Sequence, residues 1–205
     1  MASEEEIKYD LINMDDTSII KKYLLNTDVW YFTCHLNLDH NAFMSNLDLM
    51  NEIISNHLSI SMKNILIVGS GKTGYSFSPQ KALRKFDSNE EVESDIDIAI
   101  ISDKYFFEYW NLARKEVSVK YSRYYNEISS GIFSGFISKN TLEDIPSIRK
   151  VWNDKIRETR KELQEKANFR HPINFRIYRS WEDLEEYHIK GINKLKKVII
   201  KEGSK

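Results

Sequence analysis

The chain has 205 residues, 41% of them hydrophobic and 30% charged, with a formal net charge of −1. That length holds one domain with a sizeable core, and a near-neutral balance excludes a polyanion binder acting through overall charge. No apolar run reaches the roughly 20 residues that cross a bilayer, and the single Cys34 excludes an internal disulfide.

The acidic start MASEEEIKYD lacks the basic-then-apolar order of a secretory leader, so a cytoplasmic location is expected. Residues 1–26 are mixed, with a short helix expected near Ser18 to Leu25. The segment VWYFTCHLNLD from Val29 is aromatic and β-prone without clean alternation, which leaves a strand or a packed loop open. From Asn41 to His57, apolar residues at Phe43, Leu47, Met50, Ile53, Ile54 and Leu58 recur at helical spacing. His35, His40 and His57 fit no zinc spacing and are read as ordinary histidines.

Asn64 to Val68 is a short β-branched run typical of a buried strand, ended by Gly69. The polar stretch from Tyr75 to Glu93 reads as a loop whose Lys81, Arg84 and Lys85 are within reach of a substrate phosphate. Asp95 to Ile101 is a second strand. Ser102 is an N-cap before DKYFFEYWNLARKEVSVKY, and GIFSGFI (131–137) reads as a strand with a bulge at Gly135. Pro146 opens a charged amphipathic helix, INFRIYR is a third convincing strand, and Ser180 with Asp183 caps the last helix. Trp30, Trp110, Trp152 and Trp181 are read as core. The expected class is α/β (α+β), a mixed sheet flanked by helices. One compact domain is expected overall, with a helical segment at 1–60 packed on a core built from 61–205.

Charge is unevenly placed. Arg149 to Arg170 holds eight Lys/Arg against four acids, and Lys190 to the end holds six lysines and one glutamate. Acids gather instead at the N-terminus and from Glu90 to Asp97. A basic flank beside an acidic site suits a phosphorylated or nucleic-acid substrate, and solvated helix faces explain it equally well.

The chemistry-bearing stretch is Gly69-Ser70-Gly71-Lys72-Thr73-Gly74 followed by Asp95-Ile96-Asp97. Asp95 and Asp97 stand on one face of their strand, roughly 7 Å apart at Cα. Two carboxylates beside a glycine turn suit a divalent cation and a triphosphate. A P-loop is a poor fit: its first glycine would fall at Leu66, and Gly74 and Pro79 follow where a helix is needed.

Over Asn64 to Ile101 the chain resembles the nucleotidyltransferase superfamily typified by DNA polymerase beta, whose signature is G-S-x-x-x-G followed by D-x-D. The resemblance implies that fold, with Mg²⁺ (two ions) on Asp95 and Asp97 and an NTP on Gly69, Ser70, Lys72 and Thr73. It implies transfer of a nucleoside monophosphate, with release of pyrophosphate, to an RNA 3′ end or a protein hydroxyl. The chain is similar in size and motif to the small nucleotidyltransferases of toxin–antitoxin and phage-defence systems. Two departures are plain. The gap between turn and aspartates is longer than in minimal members. The later strand INFRIYR offers Asn174 and Arg176 where a third carboxylate is usual, which leaves Glu143, Asp144 or Glu182 as substitutes. A catalytically degenerate nucleotide-binding or regulatory module of the same fold is the alternative expectation.

Overall fold

The computed structural model describes residues 2–89 and 92–203; Glu90 and Glu91 of the acidic stretch, and Ser204 and Lys205 of the lysine-rich end, lie outside the described residues. The chain is mixed α+β, with one four-stranded mixed sheet flanked by helices. The strands are β1 (Ile65–Val68), β2 (Ile96–Ile101), β3 (Phe136–Ile137) and β4 (Ile173–Tyr178), in the order β1-β2-β4-β3. β3 runs antiparallel to β4, with Phe136 opposite Tyr178 and Ile137 opposite Ile177. Helices α1 (Glu4–Asn13), α2 (Asp16–Tyr23) and α3 (His40–Leu58) precede the sheet, and the one-turn α4 (Ser70–Thr73) follows β1. Then come α5 (Asp103–Lys115), α6 (Tyr125–Phe133), α7 (Lys139–Asp144), α8 (Pro146–Lys166) and α9 (Trp181–Gly203). No helix among the described residues is long and apolar enough to cross a membrane.

Contacts divide the chain into two compact units. The first is Met1–Phe43, Ile67–Asp97 and Glu185–Lys205; the second is Met44–Leu66 and Ile98–Leu184.

In the first unit, α1 and α2 begin on side-chain caps: Glu6 N–H donates to Ser3 Oγ and Ser18 N–H to an Asp15 carboxylate oxygen. Each cap satisfies an otherwise orphaned amide and is worth roughly 1 kcal/mol. The two helices are tied by the exposed Lys22, whose Nζ donates to Asp10 at 2.6 Å and Glu6 at 2.9 Å, and by the Tyr23 hydroxyl on Asp10. Burial opposes the Asp10 charge, but these donors outweigh it and hold the carboxyl below its usual range. Lys196 of α9 donates to Met14 O and Asp16.

In the second unit, the caps at Ser102 and Ser180 and the N-terminal Pro146 stand where the sequence places them. Trp152 of α8 is the largest fully buried side chain, packed edge-on against Tyr109 and Phe175.

One expectation left open is decided and one expected strand is corrected. Residues 31–35 of the aromatic segment form a short π-helical turn that buries Tyr31 and Phe32. GIFSGFI is helix α6 as far as Phe133, and only Phe136 and Ile137 are strand. The stop is Gly135, whose φ of +81° is open to glycine, and whose N–H closes the helix on Ile132 O. Its bare α-carbon also admits Asp183: a Cβ there would lie 2.3 Å from the carboxylate carbon.

Candidate functional site

The site motif lies within the first unit. β1 is an apolar strand with no side chain able to continue into a polar turn, and Gly69 ends it with φ +69° and ψ −156°, a conformation essentially reserved for glycine. The chain then makes the single turn Ser70–Thr73. Lys72 N–H donates to Gly69 O at 3.1 Å and Gly74 N–H to Ser70 O at 2.8 Å.

Two glycines of this turn, Gly69 and Gly74, combine a positive φ with a close approach, and Gly71 is closely packed. A Cβ on Gly69 would sit 2.8 Å from Asp97 Oδ2, so the carboxylate rests directly against the turn backbone. A Cβ on Gly71 would meet Ile96 Cδ1 at 3.0 Å, and one on Gly74 would overlap the Trp30 indole at 2.6 Å. The turn is thus clamped between the start of β2 and the aromatic cluster of Trp30, Tyr31 and Phe86.

Asp97 is the one half-exposed residue of β2, whose other side chains are all buried, and Asp95, also half-exposed, directly precedes the strand. The approach to Asp95 is fixed by a reciprocal pair: Asp87 N–H donates to Ser94 Oγ and Ser94 N–H to Asp87 Oδ1. The loop between turn and strand is folded back on the turn. Tyr75 and Lys85 form an isolated antiparallel bridge, Phe86 N–H donates to Gly74 O, and Leu83 and Phe86 are buried. Lys81, Arg84 and Lys85 of this loop are exposed.

The residues expected at the triphosphate therefore have different placements. Gly69 lies against the carboxylate of Asp97, as described. Among the described residues no hydrogen bond engages the Ser70 hydroxyl, which is half-exposed. Thr73 Oγ1 closes the turn, donating to Tyr75 O at 2.6 Å and accepting from Tyr75 N–H. Lys72 departs furthest from expectation. It is 2% exposed and its Nζ donates to Asn26 O at 2.6 Å, so its ammonium is engaged inside the unit. Burial pushes its pKa down to about 8, against a small opposing pull from Asp28. Sequence reading missed this because lysine is almost never fully buried, and the Asn26 carbonyl that receives it leaves no local signal.

β4, next to β2 in the sheet, reads INFRIY and carries no carboxylate. Within the second unit, Glu143 faces Arg160 Nη2 at 3.8 Å and Asp144 accepts from the Ser122 hydroxyl. Glu182 is exposed in the first turn of α9, where hydrogen bonds from its own backbone N–H and from Ser180 lower its pKa. Of the four tryptophans read as core, only Trp152 is fully buried; the other three are half-exposed.

The donor set of Asp95 and Asp97 is hard, anionic and oxygen-based, which fits Mg²⁺ better than a softer metal. Comparison with known proteins adds no relative, since no family model, curated protein or solved structure matches the chain.

Proposed function

We propose that the chain is a Mg²⁺-dependent nucleotidyltransferase that moves a nucleoside monophosphate from an NTP to an acceptor hydroxyl, at an RNA 3′ end or on a protein. The observation that carries the reading is the contact between Asp97 and Gly69. A carboxylate placed against a glycine turn, across 28 positions of sequence, unites the two halves of the motif in one site.

Asp95 and Asp97 would hold the metal, which when bound supplies charge neutralisation and Lewis acidity to the triphosphate. Gly69 leaves room for the Asp97 carboxylate against the turn, and the Ser70 hydroxyl would donate to a phosphate oxygen. The acceptor oxygen forms a bond to the α-phosphorus, the bond to the β-phosphate oxygen breaks, and pyrophosphate leaves with the electron pair. The acceptor proton passes to solvent. Lys72 has no part in this scheme, since its ammonium is held by Asn26.

A second reading, a nucleotide-binding module without transfer activity, is favoured by one feature: β4 lacks a carboxylate beside β2. The two separate in one experiment. The chain is incubated with Mg²⁺ and each α-³²P-labelled NTP, together with total RNA or a protein extract. Label retained on RNA or protein, and lost in Asp95→Asn and Asp97→Asn, supports transfer. Saturable NTP binding without label on any acceptor supports the module. Binding that persists unchanged in the Asp95→Asn/Asp97→Asn variant refutes both.

A further inference from the structure

The glycine turn and the aspartates belong to a closed circuit of contacts that includes one more residue, Trp30. Gly69 rests against Asp97 at one end of α4, and Gly74 rests against the Trp30 indole at the other. From Trp30 the circuit continues to the Phe86 ring, 5.6 Å away between centroids, and to Asp87, which is bonded reciprocally to Ser94 just before Asp95. Phe86 N–H donates to Gly74 O, which fastens that side of the circuit to the turn. Every member lies in the first unit. Ser70 and Gly74 are one helical turn apart, about 6 Å along the axis, so a phosphate at Ser70 and a ring at Trp30 fall within the span of one nucleotide.

Trp30 is placed as a platform and not as a core residue. It is half-exposed, whereas Tyr31 and Phe32 directly after it are buried. Its ring neighbours are His35 and Phe86. The centroid distances Trp30–His35, Trp30–Phe86 and His35–Phe86 are 6.0, 5.6 and 5.6 Å, a nearly equilateral triangle, so both partners occupy one side of the indole. Neither lies flat on it, since the interplanar angles are 40° and 49°. Among the described residues no other ring or cation lies over the indole, and no hydrogen bond engages its N–H. Packing against Gly74 and Phe86 holds the ring in place, so a ligand that stacks on it loses little to ordering the side chain.

We propose that Trp30 is the platform on which the base of the NTP stacks, an inference that rests on the nucleotide-binding reading of the glycine turn and the aspartates. A flat base would cover the side of the indole that His35 and Phe86 leave open, removing apolar area from water and adding ring contact. Stacking is tolerant of base identity because every base has a π face, so ATP serves as the probe. Inorganic tripolyphosphate offers the same phosphates without a base, and Trp30 makes no difference to it. A Trp30 that only packed against the turn would affect both ligands alike.

The test measures ATP and tripolyphosphate binding to the full chain with Mg²⁺, by isothermal titration calorimetry and by tryptophan fluorescence. Trp30→Leu keeps apolar bulk against Gly74 and Phe86 and removes the flat face. It is expected to weaken ATP binding roughly 5- to 150-fold, the range for losing one stacked base, and to bind tripolyphosphate like the parent. Unchanged circular dichroism and Tm confirm that it folds. ATP, but not tripolyphosphate, is expected to quench the parent's fluorescence, a measurement that needs no variant. Trp30→Phe is expected to abolish the quench while keeping most of the ATP affinity, since Trp110, Trp152 and Trp181 all belong to the second unit. Unchanged ATP affinity in Trp30→Leu, an equal loss for both ligands, or a quench that persists in Trp30→Phe each overturns the proposal and leaves the nucleotide-binding reading standing. Binding of neither ligand to the parent refutes that reading itself, and the inference falls with it.

Discussion

Replacing Lys72 by methionine tests whether the turn is held by a buried cation. Methionine keeps the length and apolar stem of the side chain and removes the charge. Lys72 is 2% exposed, and burial lowers its pKa from 10.5 to about 8, which corresponds to roughly 3 kcal/mol of differential interaction. The sign follows from linkage. Below about pH 8 the folded and unfolded chains both carry the proton, and the folded state bears the whole cost of the buried charge. Between about 8 and 10.5 the unfolded chain holds a proton that the folded chain has released, so the parent gains stability as pH rises. The methionine variant lacks that gain. Urea unfolding of both proteins from pH 7 to 10.5 should show the parent improving by roughly 3 kcal/mol relative to the variant. Taking the difference cancels other titrating groups, and the lost hydrogen bond to Asn26 O adds only an offset independent of pH. A difference that stays flat across this range would show an ordinary lysine in contact with water and refute the inward placement.

The remaining predictions concern packing. Gly69→Ala forces a Cβ to 2.8 Å from Asp97 Oδ2 at a φ of +69°, and should cost about 1–3 kcal/mol by thermal unfolding. It should also remove NTP binding, because the aspartate must move to make room; retained stability and binding would mean the turn and β2 are not in contact. Trp152→Ala empties the centre of the second unit and should cost about 3–5 kcal/mol by urea unfolding, with loss below 1 kcal/mol contradicting the buried edge-on packing.

Much of the local structure was legible because its causes are local. Ser102 and Ser180 announce their helices by satisfying the first amides, Pro146 by its preset φ, and β1, β2 and β4 by runs of branched apolar residues. GIFSGFI misled because its phenylalanines and isoleucines favour strands in isolation. The helix over most of it is decided by burial of Ile128 and Gly131, and by Gly135 stopping at a positive φ against Asp183.

The candidate site divides the same way. The spacing of Asp95 and Asp97 and the glycine content of the turn are written in the chain, since alternation along a strand and freedom at glycine are properties of the backbone alone. That Gly69 meets Asp97, that Gly74 meets Trp30, and that Lys72 turns inward to Asn26 are decisions of the tertiary structure. Each joins residues at least 28 positions apart. Their placement depends on which surfaces pack together, and no periodicity of a single segment encodes that.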